Sequence, residues 1–113
     1  MGVDDAAKDL DNRIVGTRLL FENDAVRVWE IALEPGERLP FHRHATSYFY
    51  QCHSGGRVRV GLLDGESVEY DSPADEVHFH EIGPDDLVVH DLANVGATLV
   101  TYTTVELLGG TRG

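Results

Sequence analysis

Pro35-Gly-Glu-Arg-Leu-Pro-Phe-His-Arg-His-Ala-Thr-Ser-Tyr-Phe-Tyr50 carries two histidines one residue apart in a segment with strand character. On a strand, side chains at i and i+2 share a face, whereas on a helix they sit about 200° apart. His42 and His44 can therefore grip one ion. Tyr48 and Tyr50 keep the same parity, so a strand that runs on without a bulge turns them toward the histidine face. The third ligand expected for that face is His90, in Val88-Val-His-Asp-Leu-Ala-Asn94, a second short apolar run far away in sequence.

Outward from that stretch the chain alternates in the same way. Thr17–Glu22 and Ala25–Leu33 read as strands around an Asn23-Asp24 hairpin turn, with Trp29 as core. Residues 1–15 have weak periodicity and several carboxylates, and are expected to form a tail or a short helical turn. Beyond Tyr50, Ser54-Gly-Gly56 ends a strand, and Arg57-Val-Arg-Val60 and Ser67–Tyr70 alternate on either side of an Asp64-Gly65 turn. Glu76–Ile82 follows Ser72-Pro-Ala-Asp75, and Gly83–Asp86 turns the chain toward the His90 run. Asn94-Val-Gly96 then leads into a long β-branched strand over Ala97–Leu108. Short strands with turn signals every 8 to 12 residues or so, and no sustained helical period, predict an all-β sandwich or barrel in one domain over residues 16–113.

Composition excludes several function classes. The 113 residues hold one core, and the balance of 42% hydrophobic and 26% charged residues is that of a globular protein. A formal net charge of -11, without a basic tract, argues against nucleic acid and anionic membrane as partners. No apolar run is long enough to span a bilayer, the N-terminus has no apolar signal core, and the single cysteine, Cys52, fits a reducing compartment, so the protein is expected in the cytoplasm.

The histidine spacing resembles the first motif of the cupin superfamily: Gly, five residues, His-x-His, three or four residues, Glu, six residues, Gly. Here Gly36, five residues, His42-Arg43-His44, three residues, Tyr48, six residues and Gly55 stand in that order, with tyrosine in the glutamate's place. His90-Asp-Leu-Ala-Asn94 resembles the end of the second motif, without the Pro-x-Gly that usually precedes it. The resemblance covers nearly the whole chain and implies a single-domain jelly-roll β-barrel. It implies further that His42, His44 and His90 bind one divalent metal inside the barrel, with Tyr48 beside it. A neutral phenol is a poor ligand unless the metal lowers its pKa, so a three-histidine site is expected. Such a site is similar to the minority of cupins, among them thiol dioxygenases and diketone-cleaving enzymes, in which a neutral triad faces ferrous iron.

Three imidazoles leave open positions on iron for a chelating substrate and dioxygen, which favours an Fe(II) dioxygenase acting on a small organic acid, thiol or diketone. Zinc, nickel or manganese in the same place would suit an isomerase or lyase, with Tyr48 or His80 moving the proton. A barrel kept only to bind a small molecule is the third reading. Some small cupins of similar texture are associated with β-alanine degradation, which suggests a small carboxylate or amino acid, with Arg27 and Arg38 as candidate clamps. Arg43, between two ligands, should point away from the metal. His78 and His80 form a second His-x-His, either an ordinary pair or, if they face the cavity, an acid or base. His53 is expected at a strand end in solvent, and Cys52 either reaches the cavity or is a small buried thiol. Small cupins usually pair through sheet edges, so a homodimer is expected.

Overall fold

The structure, a computed structural model, describes residues 10–109, so part of the expected N-terminal tail lies outside the described residues. Among the described residues nine strands form: β1 (Arg18–Glu22), β2 (Val26–Leu33), β3 (Arg38–His44), β4 (Tyr48–Ser54), β5 (Gly56–Gly61), β6 (Ser67–Ser72), β7 (Val77–His80), β8 (Val88–Asn94) and β9 (Val100–Leu107). They pair antiparallel in two sheets, one in the order β1-β2-β9-β4-β7 and the other in the order β3-β8-β5-β6. Consecutive strands repeatedly change sheet, which wraps the chain into a jelly roll, as expected. No helix long and apolar enough to cross a membrane is present among the described residues.

Alternation decides which residues face inward. On β9 every second residue is buried, from Val100 and Tyr102 to Thr104 and Glu106, and on β2 the same holds for Trp29, Ile31 and Leu33. Ile31, Leu33, Leu39, Val58, Val100, Tyr102 and Cys52 form the apolar core. Cys52 is thus a small buried thiol.

The glycines and asparagine of the two motifs have structural work that explains their spacing. Gly36 takes a φ of 87° in the turn closed by Glu37 N–H on Glu34 O, a conformation that a side chain disfavours. At Gly55 a Cβ would run into the carbonyl oxygen of Ser72, where the backbone crosses between sheets. Asn94 is buried and saturated: its Nδ2 donates to Leu33 O at 2.8 Å and Thr98 O at 2.7 Å, and its Oδ1 accepts from Gly96 N–H at 2.9 Å. Since the Asn94 backbone N–H also donates to Glu37 O, this residue ties β8 to the turns before β3 and β9.

Three expectations need correction. The stretch from Pro35 to Tyr50 is two strands, because the chain turns a corner at residues 45–47 and passes from one sheet to the other. Ser47 pins that corner, its hydroxyl accepting from Ile82 N–H and its carbonyl from Leu107 N–H, both at 2.9 Å. Residues 12–15 are not tail-like. Asn12 O accepts from Arg43 N–H at 2.7 Å, Asn12 Nδ2 donates to Phe41 O, and Val15 is 1% exposed, so this segment covers the outer edge of β3. The strand expected over Glu76–Ile82 shortens to β7, since Ile82 N–H is taken by Ser47.

Candidate metal centre

β3 and β8 lie side by side with His42 directly opposite His90, and two residues further along β3 comes His44 on the same face. The three imidazoles form a near-equilateral triangle, with ring centroids 4.8 to 4.9 Å apart and planes crossed at 78° to 81°. One ligand atom from each falls within 4.8 Å of the others. His44 Nε2 and His90 Nε2 approach to 3.1 Å. Two nitrogens bound to a common ion at ~2.1 Å stand about 3.0–3.4 Å apart, so this pair is already at coordination spacing. His42 Nδ1 lies 2.8 Å from Pro40 O, and donating there leaves Nε2 with its lone pair for a metal. His44 Nδ1 is buried without a hydrogen-bond partner among the described residues, so no second contact fixes that ring's tautomer. The donor set fits one divalent ion.

Burial also sets the charge state. It lowers the pKa of all three: His44 to about 2, with the neighbouring His42, His90 and His80 adding to the effect, His90 to about 4, and His42 below its ordinary value. All three are neutral at pH 7, the form that ligates metal.

Tyr48 reaches this triangle from the opposite sheet, not from the strand that carries His42 and His44. Its ring is buried and stacks on His44 with centroids 3.8 Å apart and planes 12° apart. On its other side it stacks on His80, its cross-strand partner on β7, at 5.0 Å. His80 faces Tyr50 as well, and Tyr50 stacks on His78, so imidazoles and phenols alternate in a column running outward from His44. Burial raises the Tyr48 and Tyr50 hydroxyls above their ordinary pKa and lowers His80. His78 ends the column, with Glu76 Oε1 at 2.9 Å from its Nε2, while His53 is exposed and contacts Thr103 Oγ1.

The histidines line a cavity of about 260 Å³ between the sheets. Its exposed lining residues are Val68 on β6 and His80 on β7, so it opens between the free edges of the two sheets. Tyr50, Tyr70 and Tyr102 line it further; only parity could have flagged the last two in the sequence. The proposed arginine clamps are elsewhere. Arg27 pairs with Glu22 and with buried Glu106, which also accepts from Trp29 Nε1 at 2.8 Å, and Arg38 holds Asp91 at 2.6 Å. Neither lines the cavity, and Arg43 points away from it, as its parity requires.

Neither a family model nor a curated protein matches the sequence. Solved structures do match. A cupin domain from Bordetella pertussis Tohama I superposes with a TM-score of 0.70 at 22% identity, over 86% of this chain and 95% of that one. The chain has the cupin fold. An RmlC-like cupin with a double-stranded β-helix fold from Methanocaldococcus jannaschii gives a TM-score of 0.61 at 19% identity, over 80% and 76% of the two chains. An oxalate oxidase in complex with the substrate analogue glycolate gives 0.54 at 21%, over 72% of this chain and 41% of that one. In this cupin barrel the three histidines sit together on the inner face, where they could hold a metal ion.

Proposed function

We propose that the protein is a cytoplasmic, metal-dependent enzyme, a non-haem Fe(II) dioxygenase acting on a small organic molecule. The observation that carries this reading is a triad of neutral imidazoles, His42, His44 and His90, without a carboxylate among them, opening onto a mainly apolar cavity. His42, His44 and His90 would hold ferrous iron, which would supply the redox chemistry for a reaction of dioxygen with an organic substrate. The substrate enters between β6 and β7, past Val68 and His80. Tyr48 Oη, kept protonated by burial, offers a neutral hydrogen bond beside the triad, and the ring packing on His44 holds that imidazole in place. His80, neutral near pH 7 and stacked on Tyr48, is the group placed to accept a proton at the cavity mouth.

A homodimer belongs to the same proposal, since β1 and β7 are free edges of one sheet and expose Leu19, Phe21, Val77 and Phe79. Metal analysis of untagged protein and oxygen uptake with a panel of thiols, diketones and small acids test the function. One iron per chain with substrate-dependent uptake is expected. Metal-loaded protein that consumes no oxygen with any of them would favour the isomerase or lyase reading.

A further inference from the structure

The cavity's charge inventory narrows the substrate class, an inference that rests on the metal site proposed above. None of the arginines among the described residues lines the cavity. Arg18, Arg27, Arg38 and Arg57 are in ion pairs with Glu30, with Glu22 and Glu106, with Asp91, and with Glu69 and Asp71. The carboxylate on the wall, Asp91, is saturated by Gly61 N–H at 2.6 Å and by Arg38. What remains beyond the histidines is aliphatic, with Ile31, Leu39, Val60 and Leu92, or carries a neutral hydroxyl, as Thr104 and the tyrosines do. Of the phenols, Tyr102 donates to Ser72 Oγ at 2.8 Å, while burial keeps Tyr50 and Tyr70 protonated.

A metal held by neutral ligands keeps its full positive charge and favours one anionic chelating head. Among the described residues the remainder of the wall offers an anion no fixed cation, only neutral hydroxyls and the neutral His80 imidazole at the mouth, and aromatic faces carry partial negative charge. A second negative charge on the ligand would be desolvated there without a counter-ion. We infer that the site takes a ligand with a single anionic chelating head and a non-acidic, apolar body, and discriminates against small diacids. This sets aside the arginine-clamped acid suggested by the sequence.

Isosteric hydroxamates test it, because they share one chelating head. Cobalt(II) is titrated into untagged protein at pH 8 and followed by its visible spectrum; 4-methylpentanohydroxamate and succinic monohydroxamate, in which a carboxylate replaces the isopropyl group, are then titrated into the loaded protein. The apolar ligand is expected to bind at least about tenfold more tightly. Val68→Arg, at the exposed mouth, should narrow that gap by supplying the missing cation. Equal or tighter binding of the succinic compound to the original protein, or a gap unchanged by the arginine, would overturn the inference while leaving the metal site standing. Failure of cobalt to bind would instead remove the metal site, and this inference with it.

Discussion

The chain contains the same three-residue pattern twice, and the two copies have different fates. His42 and His44 lie on β3 and His78 and His80 on β7, and both strands are edges of their sheets. Both pairs obey the strand rule that i and i+2 share a face. Residues 12–15 cover the open edge of β3, and β8 places His90 opposite His42, so those two rings are buried at 2% and 3% exposure with a third imidazole in reach. Among the described residues none covers β7 in this way, and the cross-strand partners of its histidines are Tyr48 and Tyr50, so its imidazoles stack on phenols and stay exposed. Spacing determines which way a pair points; the strand opposite and the cover on the edge determine what the pair can do.

Exchanging the pairs in a metal-binding assay should break the comparison most sharply. His42→Ala or His90→Ala is expected to abolish metal loading, beyond the ~10–100-fold losses typical of groups that only orient a ligand, whereas His78→Ala should leave it intact. Metal content after dialysis, with circular dichroism as the folding control, decides this. Equal losses at both pairs would erase the distinction.

Tyr48 joins the two regions, since its ring lies between His44 and His80. Tyr48→Phe keeps that packing and removes only the hydroxyl, so metal content should persist while turnover falls by roughly 10²- to 10⁴-fold. If metal affinity drops too, the phenol is a fourth ligand; unchanged turnover and metal content would remove it from the site.

Acid should act first on the buried triad. With His44 at about 2 and His90 at about 4 in the fold, against about 6.5 unfolded, the unfolded chain binds more protons between those values. Stability of the metal-free protein is then fully present above about pH 6.5 and declines as pH falls toward 4, with His90 alone contributing on the order of 3 kcal/mol. Urea melts from pH 8 to 4 measure this, and His90→Asn should flatten the profile.

The cover on β3 is the smallest effect. Val15→Ala should cost about 1–3 kcal/mol by leaving a void against the barrel, read as a lowered urea midpoint, and should weaken metal binding less than loss of a ligand does.

Much of the fold was legible because alternation, turn glycines and the two histidine motifs act locally. The corner at residues 45–47 was not, since Ala45-Thr-Ser47 carries neither glycine nor proline and is pinned by Ile82 and Leu107 from far along the chain. Tyr48 therefore had the right neighbour for the wrong reason, parity along one strand instead of arrival from the opposite sheet. Asn12 to Val15 looked like tail because their partners, Phe41 and Arg43, lie about thirty residues away. Arg27 looked free for the same reason: its partner Glu106 faces it across β2 and β9.

The central claim is that His42, His44 and His90 together hold one metal ion and that the second pair takes no part. X-ray absorption on zinc-loaded, untagged protein, compared with a His78→Ala/His80→Ala double variant, tests it most directly. One ion per chain with three imidazole nitrogens at about 2.0–2.1 Å, and the same imidazole shell in the variant, is expected. A shell of carboxylate oxygens, or imidazole scattering lost in the variant, would contradict it.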